Sequence, residues 1–243
     1  MSLVVDIILL AFIILGAYVG SKKGLIKTAV SFLGLIAIII ISYAISRSLS
    51  DFLIDFMPFF QFGGELEGLT SLNILIYNVV SFVVVFILMY CILNIVLTLT
   101  GFIDTLLKFT VIWIIPSKIG GAILGLLEAW AFVFLAVFVL SNFSFTNGFI
   151  SESKLSNVIL NHTPVIGNVL SGVTKSAQDI YEGVKLFRND ETKTTDDLNL
   201  YILQVQINYD LITKEKATEL MEIGKIGLDG VIFGKEESLW LNI

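Results

Sequence analysis

The sequence predicts an all-α, polytopic membrane protein with about four transmembrane helices and a small amphipathic helical C-terminal tail. Three observations predict it. Hydrophobic residues make up 56% of the 243 and charged residues only 15%, against about 45–50% and roughly 25% in soluble domains. Four apolar runs are each long enough to cross ~30 Å of hydrocarbon, which takes roughly 17–25 residues. Past Asn142 the chain turns mixed and charged, with 9 Lys/Arg and 14 Asp/Glu in residues 142–243 against 6 and 7 in residues 1–141. The reading is a transmembrane domain over 1–141 and a helical extramembrane tail over 142–243.

The first apolar run is Leu3 to Val19. A secretory signal would carry its basic residues before the apolar core. Here Asp6 comes first and Lys22-Lys23 follow, so the run reads as a retained helix. The second run is about Thr28 to Ile45, closed by Arg47; the third is about Ile74 to Leu99; the fourth is about Ile119 to Leu140. Lipid offers the backbone no hydrogen-bond partners, so such runs must be helical. Two shorter stretches read as interfacial segments. One is the aromatic Phe52 to Phe62, with Asp55 and Pro58, within 51–62. The other is Phe102 to Pro116, with Asp104, Lys108 and Trp113.

In the tail, Ile166, Val169, Val173, Ile180, Val184 and Phe187 recur near a 3.6-residue period and predict one amphipathic helix over Val165 to Phe187. A polar break over Asn189 to Asp197 precedes a periodic stretch, Leu198 to Leu211. Thr213 reads as the N-cap of a last helix reaching Ile223. Gly224, Gly227, Gly230 and Gly234 punctuate the end.

Loop charges predict orientation. The first link holds Lys22, Lys23 and Lys27 without an acid, and the third holds Lys108 and Lys118 against Asp104. The second holds Arg47 against Asp51, Asp55, Glu65 and Glu67. Short basic loops stay cytoplasmic, so the N-terminus and the tail are expected outside. Were Phe102 to Pro116 a fifth span, the tail would be cytoplasmic.

Several function classes find no support. There is no basic stripe for nucleic acid. No phosphate-binding lysine loop, dinucleotide glycine fingerprint, zinc spacing or serine nucleophile elbow occurs. No catalytic, cofactor or metal site is therefore expected, and the protein reads as not an enzyme. Cys91 lies in an apolar run and reads as a small filler. His162 stands alone in Asn161-His162-Thr163-Pro164, which makes a poor metal site and reads as structural or surface.

Two features invite a role. Gly16, Gly20 and Gly24 fall on one helix face, and Gly121, Gly125 and Ala129 repeat the device on the fourth span. Small residues at this spacing let a second backbone approach closely. They serve either packing within the chain or a seam between copies. Glu128 sits near the middle of the fourth span, where a charge costs on the order of 2.5–3.5 kcal/mol or more. It should face the bundle, either as a structural hydrogen-bonding group or in proton or ion handling. Asn78, Ser81 and Asn94 are its candidate partners in other spans. Asp6 is expected near the membrane surface, hydrated or at a helix N-terminal end, where the dipole favours an anion.

The order of these motifs resembles the colicin V production (CvpA) family in its Gram-positive form. The likeness rests on Asp6 followed by Gly16, Gly20 and Lys22-Lys23-Gly24. It rests also on Gly101-Phe-Ile-Asp104, Pro116 and Gly120-Gly121-x-x-x-Gly125-Leu-Leu-Glu128, and on Ile159-Leu-Asn-His162-Thr163-Pro164. It covers about residues 3–170. The resemblance implies a multi-pass protein of the bacterial plasma membrane, linked to toxin production and export, envelope stress tolerance and biofilm behaviour. It supplies no agreed catalytic residues. Some relatives carry a trypsin-like protease, which this tail does not resemble. The expected partners are the lipid bilayer and either further copies of the chain or other envelope and export proteins. An accessory or scaffold role is the leading expectation, and a small transporter or channel subunit working through Glu128 is the alternative.

Overall fold

The computed structural model describes residues 2–99, 114–142, 146, 150, 152–163, 166–188 and 192–226. Among these, helix is the only regular structure. The elements are α1 (Ser2–Lys23), α2 (Leu25–Phe56), a short 3-10 turn (Gly64–Leu66), α3 (Leu72–Leu99), α4 (Ile114–Ser141), α5 (Lys154–His162), α6 (Ile166–Arg188), α7 (Thr195–Asn208) and α8 (Lys214–Glu222). Four segments are long and apolar enough to cross a membrane: Leu3–Lys23, Leu25–Phe56, Leu72–Val96 and Ser117–Ser141. The four expected spans are therefore present, and the fold is that of an all-α polytopic membrane protein.

Two span boundaries and one further helix differ from expectation. Helix α2 continues to Phe56, so the first half of the segment expected to be interfacial is helical and continuous with the second apolar run. It stops there because Pro58 disfavours helical backbone at Met57. Helix α4 begins at Ile114 and holds Pro116 in its first turn, where proline is tolerated because the N–H has no helical partner. The interfacial reading of 102–113 lies outside the described residues, as do Gly227, Gly230 and Gly234. Helix α5, nine residues long, had no counterpart in the sequence reading.

The chain forms two compact units that do not follow the 141/142 boundary: Met1–Arg47 with Phe82–Leu170, and Ser48–Ser81 with Ser171–Ile243. In the first unit, α1 passes into α2 through Gly24 alone, whose φ of 81° suits a residue without a Cβ. Thr28 Oγ1 closes the junction by donating to the Gly24 carbonyl at 2.8 Å. Contacts then fix the directions of the spans. Gly24 and Gly16 meet the start and middle of α4 at Ser117 and Ala129, so α1 and α4 are antiparallel. Leu25 meets Ser117 and Ser31 meets Glu128, so α2 and α4 run the same way. Phe82 packs edge-on against Phe138 at 5.8 Å and Tyr90 against Phe132 at 5.9 Å, so α3 opposes α4. The result is an up-down bundle whose centre is Leu35, Ile39, Phe134 and Phe138, all fully buried. Aromatic–cation pairs, Lys22 over Tyr18 and Arg47 over Tyr43, stand where belts of such residues anchor membrane helices at the lipid–water boundary.

The second unit joins the α2–α3 link and the adjoining helix ends to the tail. Ile54, Ile74, Tyr77, Leu203, Ile212 and Leu220 form its core. Buried amides satisfy the backbone of the link. Asn73 bonds both the N–H and the carbonyl of Phe60, at 2.7 and 3.1 Å. From α7, Asn199 accepts the Ser71 N–H at 3.1 Å and donates to the Gly68 carbonyl at 2.8 Å, while Gln206 donates to the Ser71 carbonyl at 3.0 Å. Lys225 donates to the carbonyls of Ile54 and Asp55, at 2.6 and 2.5 Å, and so closes the C-terminal end of α2.

Helix starts in the tail follow local chemistry. Thr213 caps α8 by accepting the Lys216 N–H. Thr194 and Asp197 form a capping box at α7. The Thr194 N–H and O–H both donate to Asp197, at 2.8 and 2.9 Å, and hold its carboxyl below the usual carboxylate range. The hydroxyl of Tyr209 donates to Asp179 at 2.7 Å, which pushes the phenol up. Lys216 is paired with Asp55 and with Glu219, and the bond to Asp55 is the first cause of its raised pKa.

Candidate functional site

The glycines singled out by their spacing meet one another inside the chain. A Cβ added at Gly20 would lie 2.7 Å from Gly125 Cα and closer still to the Gly121 carbonyl oxygen. One added at Gly16 would lie 2.7 Å from the Gly125 carbonyl oxygen and would overlap Ala129 Cβ. One added at Gly121 would lie 2.9 Å from Gly24 C, and one at Gly125 would lie 2.7 Å from Gly20 Cα. The two ladders interlock as backbone against backbone over two turns, which side chains would forbid. Of the two uses open to the sequence, these faces serve the packing of α1 on α4 within one chain.

Glu128 is 9% exposed and faces into the bundle. Ser31 Oγ on α2 donates to its Oε1 at 2.5 Å. Ser31 was not among the partners that the sequence offered. Asn78 donates to the carbonyl of Ile74 at 2.9 Å and to that of Leu211 at 3.3 Å, whereas Asn94 donates to the carbonyl of Tyr90 at 2.7 Å. Ser81 is buried. Ser31 escaped notice because a single serine in an apolar run carries no motif. Only the pairing of α2 with α4 selects it.

Two further polar contacts hold α5 to the spans. Asp6 Oδ1 accepts the Ser153 hydroxyl at 2.5 Å and the Leu155 N–H at 3.1 Å. Ser153 itself caps α5 by accepting the Ser156 N–H. The carboxylate thus stands at the N-terminal end of α5, where unpaired N–H groups and the helix dipole favour an anion. At the other end, the Trp130 indole N–H on α4 donates to Thr163 Oγ1 at 2.9 Å, and Thr163 donates to the Ile159 carbonyl. Trp130 lies about 16 Å of helix before the end of α4. Helix α5 therefore packs against α1 and α4. His162 and Cys91 are exposed. Asp104 lies outside the described residues. Sequence reasoning missed Ser153, Trp130 and Thr163 as a set. The cap signal Ser153-x-x-Ser156 before an apolar pair at Val158 and Ile159 is the one local trace of α5.

The model of the colicin V production protein family matches residues 5–164. The match begins one residue before Asp6 and closes one residue past Thr163, so it takes in the glycine clasp, Glu128 and the whole of α5. It leaves out residues 165–243. An uncharacterized transmembrane protein of Bacillus subtilis (strain 168), YshB, is 28% identical over 171 residues, which is 68% of this chain and 94% of the relative. No solved structure matches. A family model that matches residues 5–164 of 243 covers most of the chain: the chain belongs to the colicin V production protein family.

Proposed function

We propose that the protein is a non-enzymatic accessory of the bacterial plasma membrane that supports toxin production or export and maintains the envelope under stress. The observation that supports this reading is how the acids within the first and fourth spans are engaged. Glu128 binds Ser31 and Asp6 binds the start of α5, so both join elements of the bundle to one another. In this reading the bundle is a fixed platform. Its protein partners are further copies of the chain or other envelope and export proteins, met through surfaces other than the glycine faces. The N-terminus and tail are extracytoplasmic, as the basic first and third links require.

A transporter or channel subunit is the second reading, and the burial of Glu128 between α2 and α4 favours it specifically. An intramembrane carboxyl group facing a bundle interior is a natural site for ion or proton handling. Complementation separates the two. A deletion strain is challenged with envelope stress while carrying Glu128→Gln, with membrane levels checked by blot. Glutamine keeps an oxygen to accept the Ser31 hydroxyl but cannot titrate. Full rescue is expected for the accessory. A variant present at normal levels yet inactive makes ion movement through Glu128 the leading function.

A further inference from the structure

Helix α2 carries aromatic side chains past the point where hydrocarbon can cover them. From Lys27 to Arg47 it rises about 30 Å, the thickness of the hydrocarbon core. Arg47, over the Tyr43 ring, marks the boundary. Phe52 and Phe56 lie about 8 and 14 Å of helix further on. The headgroup layer adds only about 5–8 Å a side, so these rings stand at and beyond its outer edge. Phe52, Phe56, Met57 and Phe60 are nevertheless 44–73% exposed, and the Phe52 and Phe56 rings pack together with centroids 4.6 Å apart. A contiguous apolar surface held out of lipid marks a place where protein docks.

The end of the chain leaves the second unit beside this cluster. Ile226 is buried in the same core as Ile54. Lys225 donates to the carbonyls of Ile54 and Asp55 and stands 5.6 Å from the Phe59 ring. Residues 227–243 follow directly and lie outside the described residues. Their sequence holds two apolar triplets, Val231-Ile232-Phe233 and Leu239-Trp240-Leu241, separated by Gly234 and the charged Lys235, Glu236 and Glu237. Three apolar residues in a row fall far short of the roughly 17–25 a membrane span needs. The triplets therefore want a cover as much as the end of α2 does. At about 3.4 Å per residue, the first reaches up to about 17–24 Å from Ile226 and the second up to about 50 Å, which takes in the helix end that Lys225 touches.

We propose that residues 227–243 fold back as a strap over the end of α2, with the two triplets seated on Phe52, Phe56, Met57 and Phe60. Tethering at Ile226 favours this occupant over a second copy or a separate partner, because a short tether gives an effective concentration on the order of mM.

The test uses the full chain with Cys91→Ser and Met57→Cys, in nanodiscs that hold one copy each, and follows the rate of reaction with an impermeant thiol reagent. The thiol is expected to react about tenfold more slowly in the full chain than in the same chain cut after Ile226, the ratio for a strap open about a tenth of the time. Phe233→Ser with Trp240→Ser should raise the rate as the cut does. Leu186→Ser, at an exposed apolar residue of α6, should leave it unchanged. Thermal melting checks folding, and if the cut chain melts early the paired serine variant decides. Equal rates before and after the cut overturn the strap: both fast means that nothing covers the cluster, and both slow means that lipid does. Protection seen only with more than one copy per disc points to a second chain and overturns it too, as does a rate unmoved by the paired serine variant.

Discussion

Gly20 sets the tightest demand on any one position, because its neighbours are backbone atoms that cannot rotate away. Gly20→Ala is expected to cost about 1–3 kcal/mol, the range for overpacking a close contact, and Gly20→Leu should prevent α1 from seating on α4. Melting in detergent checks this, with Gly63→Ala as the comparison, since nothing lies within 4 Å of a Cβ there. A seam between copies would instead lower the oligomer state and leave monomer stability intact. Asn199→Ala strands the Ser71 N–H and the Gly68 carbonyl in a buried setting, at about 1–3 kcal/mol for groups left unpaired. Faster proteolysis of the α2–α3 link is the readout. Asp197 gives a pH signature. Its carboxyl is depressed in the folded state, so the capping box stabilises α7 above the unfolded carboxylate value near 3.8 and loses that contribution as the pH falls through the folded value. Thr194→Ala should remove about 1 kcal/mol at neutral pH and flatten the acid dependence, as followed by circular dichroism.

Helix α5 is the element whose position matters most and was least visible. Its nine residues are too few to be a stable helix alone, and its apolar residues read equally well as loop. Its place is set from outside, by Asp6 at one end and Trp130 at the other. Trp130→Phe keeps the ring and removes the bond to Thr163, so α5 amides should exchange faster with deuterium, corresponding to about 0.5–1.5 kcal/mol. Unchanged exchange would mean that packing alone holds α5. The long helices behaved differently. Apolar runs in lipid have one backbone solution, and the tail helices α6 and α8 carry a clean period and a threonine cap, so both were legible to within a residue or two. The end of α2 at Phe56 was not legible because Phe52 to Phe62 is aromatic and broken by a proline. Those features suit an interfacial segment as well as a helix end continuing out of a span.

For the whole molecule, the membership of the second unit has a topological consequence. The α2–α3 link and the tail pack together through Asn199, Gln206 and Lys225, so they stand on one side of the bilayer. Among the described residues the crossings between them are α3 and α4, an even number that agrees. In a Cys91→Ser background, Glu67→Cys and Lys175→Cys should react with an impermeant thiol reagent from the same side, and Lys23→Cys only from the other. Labelling of Glu67→Cys and Lys175→Cys from opposite sides would refute the shared unit. In the proposed orientation that side is extracytoplasmic, and the same experiment in intact cells checks it.

The sequence by itself determined the solvent, the helical class, the four spans and the family, because lipid leaves the backbone no alternative and the order of glycines, acids and prolines is local. It placed Gly16, Gly20 and Gly24 on one face, and Gly121 and Gly125 on another, since helical periodicity alone fixes faces. Whether those faces met each other or another copy, which hydroxyl met Glu128 and what Asp6 held were decided only in three dimensions. Each of those contacts joins residues about a hundred or more positions apart, and nothing in local periodicity says which face of one span a second span will cover.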